Sequence, residues 1–248
     1  MDADLTLDLI NATVQIEQPE SQDKRTVGSG FLLDDPAPDG RPRTVLVTAA
    51  HVLELMPGDD ARIGWRTQGA DGAWRYAPQT VHIRDHGKPL WTQHPDQDVA
   101  VLTITAPQAF AKAAIPLAWL ADRKTFDRYS VAPGDEMMTL GFPSGLSSNP
   151  AGFPILRSGR VASYPLSPVD RYPTFLIDLH VMPGNSGGPV YMAEDSARRA
   201  HGRHNPPFVA GVLTKQVELE IGVVVHAAYV RETVEMLDQS TPAAHAAE

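Results

Sequence analysis

Residues 183–189 (PGNSGGP) place a serine, Ser186, among glycines directly after the apolar run 175–181. A serine hydroxyl is a weak nucleophile unless a base takes its proton and hydrogen-bond donors stabilise the oxyanion that forms. Glycines on both sides let the chain turn so that the N–H groups of Gly184 and Ser186 face one carbonyl oxygen. The segment therefore indicates nucleophilic catalysis, although by itself it also fits an ordinary turn rich in glycine and proline.

The same segment matches Gly-x-Ser-x-Gly, which marks the nucleophile of α/β-hydrolases at a sharp turn from strand to helix. That turn requires a helix directly after the serine. Here Gly187, Gly188 and Pro189 follow Ser186, and these residue types disfavour the start of a helix. The hydrolase fold also alternates strands with long helices, which this sequence does not predict.

Two residues upstream of Ser186 complete the set that such chemistry needs. His51 follows the apolar run 44–48 and two alanines, so we expect a strand that ends at this histidine with room for its ring to move. Asp98 stands at the start of the apolar run 99–104, and Asp96 is the competing candidate. The plain alternatives are a buried histidine at a strand end and an aspartate that caps a strand.

Composition limits the elements that can position these residues. The 248 residues include no cysteine, which excludes disulfides, a cysteine nucleophile and cysteine-ligated metal centres. The 22 prolines disfavour long helices and favour short strands joined by turns. A net charge of −9 argues against a general nucleic-acid-binding surface. No apolar run is long enough to span a membrane or resembles a signal peptide, and the lack of cysteine favours a cytoplasmic location.

Short runs rich in β-branched and apolar residues predict twelve strands. They lie at residues 12–16, 27–33, 44–48, 61–66, 80–84 and 99–104, and then at 136–141, 155–163, 174–180, 189–192, 208–214 and 222–226. The two sets of six predict an N-terminal unit (8–106) and a C-terminal unit (130–228) with a linker between them (107–129). Val230, Val234 and Leu237 follow helical spacing and predict a helix over 229–238, before a flexible tail (239–248).

Several polar segments have two interpretations. The stretches 144–152 and 193–207 are either solvated connectors or the borders of a binding cleft, because loops on a rigid scaffold often carry recognition. Five further histidines suggest metal binding only weakly, and we expect them at the surface: His82, His86, His94, His201 and His204. We therefore expect neither a metal nor a cofactor.

Four segments occur in one order: GSGF (28–31), TAAHV (48–52), DVAVL (98–102) and GNSGGP (184–189). On these segments the sequence resembles the chymotrypsin/trypsin-like serine peptidase superfamily. Within it, the sequence is most similar to bacterial members without disulfides, such as the catalytic domain of Htr/Deg-type proteases, over about residues 8–237. The resemblance implies an all-β fold of two six-stranded antiparallel barrels, followed by a C-terminal helix.

The resemblance also implies roles for the candidate residues. His51 acts as general base and then as general acid, Asp98 orients its ring, and Ser186 is the nucleophile. The N–H groups of Gly184 and Ser186 form the oxyanion hole. The catalytic residues come from both barrels and meet in the cleft between them.

By family position, the pocket for the substrate side chain is lined near His180 and by Leu213, Thr214 and Lys215. His180 and Lys215 would favour an acidic side chain, because either can hold a carboxylate. In the plain alternative, His180 is a packed wall residue and Lys215 points to water.

Two departures from the family pattern limit what the resemblance implies. Asn185 occupies the position where animal digestive members carry the aspartate that pairs with a newly cleaved N-terminus, so we expect no activation by cleavage. We also expect no peptide-binding domain of the PDZ type after the C-terminal helix, and no assembly that depends on one.

Together these observations predict a cytoplasmic serine endopeptidase that cleaves protein or peptide substrates through an acyl-enzyme. Control by a regulatory protein partner or by a disordered oxyanion loop is expected, because an unrestrained peptidase in the cytoplasm would damage its host. The first alternative is a catalytically latent or dead protein-binding module on the same fold. The second is an esterase whose natural substrate is not a peptide.

Overall fold

The computed structural model describes residues 5–20, 24–193, 202, 205–217 and 221–240. The helices within these residues are α1 (Leu5–Ala12), α2 (Ala50–Glu54), α3 (Gln108–Ala111), α4 (Thr125–Arg128) and α5 (Ala227–Ser240). The strands of the first half are β1 (Thr13–Pro19), β2 (Arg25–Asp34), β3 (Thr44–Thr48), β4 (Asp60–Gln68), β5 (Trp74–His82), β6 (Arg84–Asp85), β7 (Lys88–Pro89), β8 (Thr92–Gln93), β9 (Ala100–Ile104) and β10 (Ile115–Pro116). Those of the second half are β11 (Glu136–Gly141), β12 (Ile155–Val161), β13 (Thr174–Asp178), β14 (Pro189–Met192), β15 (Phe208–Val217) and β16 (Ile221–His226).

All twelve predicted runs fall on strands, and the chain is mostly β. The second half forms a closed barrel of six strands in the order β11-β12-β13-β16-β15-β14. Its pairings are antiparallel. This half therefore has the predicted architecture.

The first half departs from the predicted closed barrel of six strands. Its strands form one sheet in the order β5-β4-β1-β2-β3-β9-β8, and β10 pairs with β2 in parallel. In the described residues no pairing joins β5 to β8. The chain between them instead forms the separate hairpin β6–β7, in which Arg84 pairs with Pro89.

The core positions follow the residue pattern of the strands. All five residues of β3 are buried, as expected for an apolar run between two paired strands. On α5 the residues Val230, Val234 and Leu237 are buried, which confirms the predicted amphipathic helix. That helix extends two residues beyond the predicted 229–238 at each end.

Helix α1 was not predicted from the sequence. The carbonyl groups of its last turn accept hydrogen bonds from an arginine that lies far along the chain. Arg66 on β4 is fully buried, and its guanidinium donates to the carbonyl oxygens of Ile10 (3.2 Å) and Asn11 (2.6 Å) in the last turn of α1. It also donates to the carbonyl oxygens of Thr13 (2.9 Å) and Gly152 (3.1 Å). A cation suits the C-terminal end of a helix, where carbonyl groups lack partners. Arg66 thus ties α1 and the loop at Gly152 to the first sheet.

The predicted linker (107–129) contains α3, β10, a single 3₁₀ turn (Leu117–Trp119) and α4. Its Phe110 packs tilted against Trp65 at a ring-centroid distance of 4.7 Å. None of the described helices has both the length and the apolar character that a membrane crossing requires.

Candidate active site

His51 lies in the first turn of the short helix α2, and not at a strand end as expected. Strand β3 ends at Thr48, and Ala49 is the extended residue that precedes the helix (φ −74°, ψ 139°). Gly28 on β2 lets this helix come close, because a Cβ atom there would lie 2.3 Å from the Val52 side chain. Gly28 therefore sets how closely this helix approaches the sheet.

Asp98 contacts His51 at two points. Its Oδ1 atom accepts a hydrogen bond from the backbone N–H of His51 (3.0 Å), and its Oδ2 atom lies 2.7 Å from Nδ1 of the ring. A carboxylate at Nδ1 fixes the proton there and leaves Nε2 free to act as a base. Partial burial raises the pKa of Asp98, but hydrogen bonds from the His51 ring and backbone outweigh this and hold the pKa below its ordinary value.

His94 organises the turn that presents Asp98, and our expectation of a surface histidine is wrong here. The ring is buried, and its Nδ1 atom accepts from the backbone N–H groups of Asp96 and Gln97 (3.1 Å each). Its Nε2 atom lies 3.4 Å from a carboxylate oxygen of Glu232 on α5. Asp96, the competing candidate, therefore belongs to this turn, whereas Asp98 faces His51.

The loop with Ser186 begins with a tight turn. The N–H of Asn185 donates to the carbonyl oxygen of Met182 (3.0 Å), and Gly184 has a φ of +95°. A Cβ atom at Gly184 would lie 2.3 Å from the carbonyl oxygen of Phe142. Glycine is thus required at this position, both for the positive φ and for the close approach of another chain segment.

The orientation of the Gly184 N–H is fixed by a neighbouring loop. The carbonyl oxygen of Pro183 accepts a hydrogen bond from the N–H of Ser144 (2.6 Å). Because C=O and N–H point in opposite directions across a trans peptide, the N–H of Gly184 points away from Ser144. Among the described residues, neither this N–H nor that of Ser186 has a hydrogen-bond partner, so both donors remain available.

The hydroxyl of Ser186 donates to the backbone carbonyl oxygen of Thr214 (2.7 Å). Within the described chain, no hydrogen bond joins the Ser186 hydroxyl to the His51 ring. The Ser186 hydroxyl must therefore give up its bond to the Thr214 carbonyl before His51 can take its proton.

The residues expected around the substrate pocket fall into two groups. Leu213 and Thr214 are buried on β15, and Leu213 exchanges backbone hydrogen bonds with Gly187 (2.7 Å) and Gly188 (2.9 Å). They therefore support the serine loop directly. His180 and Lys215 are exposed, and a β-bulge separates Lys215 from Leu213.

The loop 144–152 is more than a solvated connector, because Ser144 contacts the serine loop. The other uncertain stretch, 193–207, lies mostly outside the described residues, as do His201 and His204. One polar residue of the site, Ser29 in the GSGF segment, was not predicted from the sequence. Its N–H and hydroxyl both bond to the serine loop, and the glycines beside it were the only signal.

A known protein family matches more than half of this chain. A search of curated proteins gives no match. The family model described as trypsin-like peptidase domain matches residues 28–197, which is more than half of the chain. Its range includes His51, Asp98 and Ser186. The chain therefore belongs to the trypsin-like peptidase family, within the trypsin/chymotrypsin-like superfamily.

Proposed function

We propose that this chain is a serine endopeptidase in which Ser186 is the nucleophile, His51 the general base and Asp98 the residue that orients it. The observation that carries the proposal is the contact of Asp98 with both the backbone N–H and the Nδ1 atom of His51. This contact serves catalysis because it holds the ring with Nε2 unprotonated and stabilises the imidazolium that forms.

The proposed reaction has two halves. Nε2 of His51 takes the hydroxyl proton of Ser186 while the serine oxygen attacks the substrate carbonyl carbon, and the N–H groups of Gly184 and Ser186 stabilise the oxyanion. The C–N bond then breaks, the leaving amine takes the proton from His51, and an acyl-enzyme remains. Water repeats the sequence on the acyl-enzyme, releasing a carboxylic acid and restoring the Ser186 hydroxyl.

The substrate class follows from the family, in which peptide bonds are the substrates. We propose protein or peptide substrates, with exposed His180 and Lys215 favouring an acidic side chain next to the cleaved bond. A cytoplasmic location and control by a partner protein remain part of the proposal. The cysteine-free composition supports the location.

A latent protein-binding module on the same fold is the second candidate, and one observation favours it. The Ser186 hydroxyl bonds to the Thr214 carbonyl oxygen and not to His51. The peptidase requires this hydroxyl to turn from Thr214 to His51, so the two candidates differ in whether that turn occurs in solution.

Turnover assays with an unfolded protein and with a peptide ester separate these candidates. If the peptidase proposal is correct, the unfolded protein is cleaved and Ser186→Ala lowers kcat by about 10⁶-fold. The matched control is Ser163→Ala, in which a serine between β12 and β13 loses a hydroxyl that accepts a backbone hydrogen bond. Ester turnover without peptide cleavage would favour an esterase. A loss below about tenfold in Ser186→Ala would overturn the assignment of the nucleophile.

A further inference from the structure

Ser29 lies on β2, where that strand extends beyond its neighbour β3. The pairing of these strands runs only as far as Phe31 opposite Val47. Beyond it, the N–H of Ser29 donates to the carbonyl oxygen of Ser186 (2.8 Å). The carbonyl oxygen of Ser29 accepts from the hydroxyl of Thr48 (2.7 Å), three residues before His51. The backbone of Ser29 therefore links the histidine segment to the serine loop.

The Ser29 side chain makes a second connection to the same loop. Its hydroxyl donates to the carbonyl oxygen of Gly184 (2.7 Å) and accepts from the N–H of Phe142 (3.0 Å). The residue is fully buried, with an exposed fraction of 0%. Buried polar groups need partners, and here every polar group of Ser29 has one.

The glycines around Ser29 make room for these contacts. A Cβ atom at Gly187 would lie 2.0 Å from the carbonyl oxygen of Ser29, and one at Gly141 would lie 2.9 Å from its hydroxyl oxygen. A side chain at either position would push the serine loop or β11 away from Ser29. These two glycines therefore allow the serine loop and β11 to pack closely against Ser29.

We propose that Ser29 is a positioning residue that holds the two oxyanion donors in place, an inference that rests on the proposed peptidase function. Ser29 binds the carbonyl groups of Gly184 and Ser186, the two residues whose N–H groups are the proposed donors. The donor N–H and the held carbonyl belong to the same residue. The N–H and the C=O of one residue lie in adjacent peptide planes that share its Cα atom. Ser29 therefore anchors the peptide plane that follows each donor, and so fixes the Cα atom about which the donor plane turns. Ser29 acts through these residues and touches no reacting atom.

Replacing Ser29 by alanine tests this role. The variant leaves the Gly184 carbonyl and the Phe142 N–H without their partner, whereas the backbone bond from Ser29 to the Ser186 carbonyl remains. It therefore loosens the chain next to the Gly184 donor without removing either donor. Because loss of one oxyanion donor costs about 10²–10³ in kcat, we expect reaction with a fluorophosphonate and kcat to fall about 10- to 100-fold, with KM changed less than about threefold. Ser163→Ala serves as the control and should react at the wild-type rate.

Hydrogen exchange measured by mass spectrometry supplies a readout that does not depend on activity. Residues 183–188 should exchange faster in Ser29→Ala than in wild type, while the second barrel outside the loop is unchanged. Wild-type reactivity together with unchanged exchange in this loop would overturn the inference. If the wild-type chain does not react with the fluorophosphonate, the proposed function fails, and the exchange data alone decide the role of Ser29. If Ser29→Ala does not fold, Ser29→Cys, which keeps a weak S–H donor, takes its place and should show a smaller loss.

Discussion

The carboxylate of Asp98 binds both the backbone N–H and the ring Nδ1 of His51, so one side chain fixes the position and the tautomer of the histidine. Asp98→Asn keeps the size of the side chain but removes its charge. Its amide can donate to Nδ1 and leave the proton on Nε2, the wrong tautomer for a base. We expect kcat to fall about 10⁴-fold, measured by peptide cleavage, with thermal stability as the control. Activity within tenfold of wild type would remove Asp98 from the mechanism.

Gly184 allows a prediction with a well-matched control. In Gly184→Ala the new methyl group would meet the Phe142 carbonyl at 2.3 Å, at a φ of +95°. Gly134 has a similar φ of +88°, but no atom lies within 4 Å of the corresponding Cβ position. Both variants carry the backbone strain, and only Gly184→Ala displaces the proposed oxyanion donor. We expect kcat to fall about 10²–10³-fold in Gly184→Ala alone, whereas equal losses in both variants would point to strain as the cause.

Because His226 is buried, we expect the fold to lose stability in acid. The ring is buried among Phe126 and Phe175, and burial lowers its pKa from 6.5 to about 4. As the pH falls from 6.5 towards 4, the unfolded chain binds a proton at this residue and the folded chain does not. The free energy of unfolding should therefore decrease by about 3 kcal/mol over that range from this residue.

Urea unfolding between pH 4 and pH 7 measures this effect. His226→Leu should be less sensitive to pH by about that amount, because it removes the titrating group. The exposed His86 supplies the control variant His86→Asn, which should show the wild-type pH dependence. An unchanged pH dependence in His226→Leu would contradict the account of this residue.

Arg66 should be among the residues that stabilise the fold most. Arg66→Met retains apolar volume but leaves four carbonyl groups, including those at the end of α1, without their donor. We expect a loss of more than about 3 kcal/mol in the free energy of unfolding. The control Arg75→Met removes an exposed ion pair with Asp71 and should cost less than about 1 kcal/mol. Similar losses from both substitutions would show that the carbonyl contacts of Arg66 add little.

The elements that the sequence predicts are those with a recognisable residue pattern of their own. Apolar runs bounded by proline and glycine reveal strands such as β11 and β14, whose predicted and observed bounds agree. Helix α1 was missed because its end is completed by Arg66, which lies on β4, far along the chain. The two-residue strands β6, β7 and β8 are too short to show a periodic pattern of residues. Their position depends on distant contacts, since the Arg84 side chain of β6 donates hydrogen bonds to carbonyl groups of residues 53–58.

The site residues divide in the same way. Those with a local sequence pattern were predicted, and those that depend on contacts with distant parts of the chain were not. Residue type and order alone identify Ser186, His51 and Asp98 as candidates. The one-turn helix under His51 and the burial of His94 were missed, because a single turn has no periodicity and Glu232 lies far from His94 in sequence. Ser29 lies in the GSGF segment, but nothing in the sequence indicated a role for it, because its hydrogen-bond partners come from three separate parts of the chain.

Intact-mass labelling with a fluorophosphonate is the most direct test of whether Ser186 is an activated nucleophile. We predict one adduct on the wild-type chain and none on Ser186→Ala or His51→Ala, with circular dichroism showing that both variants are folded. Absence of an adduct on folded wild-type protein, or an adduct that persists in Ser186→Ala, would contradict this prediction.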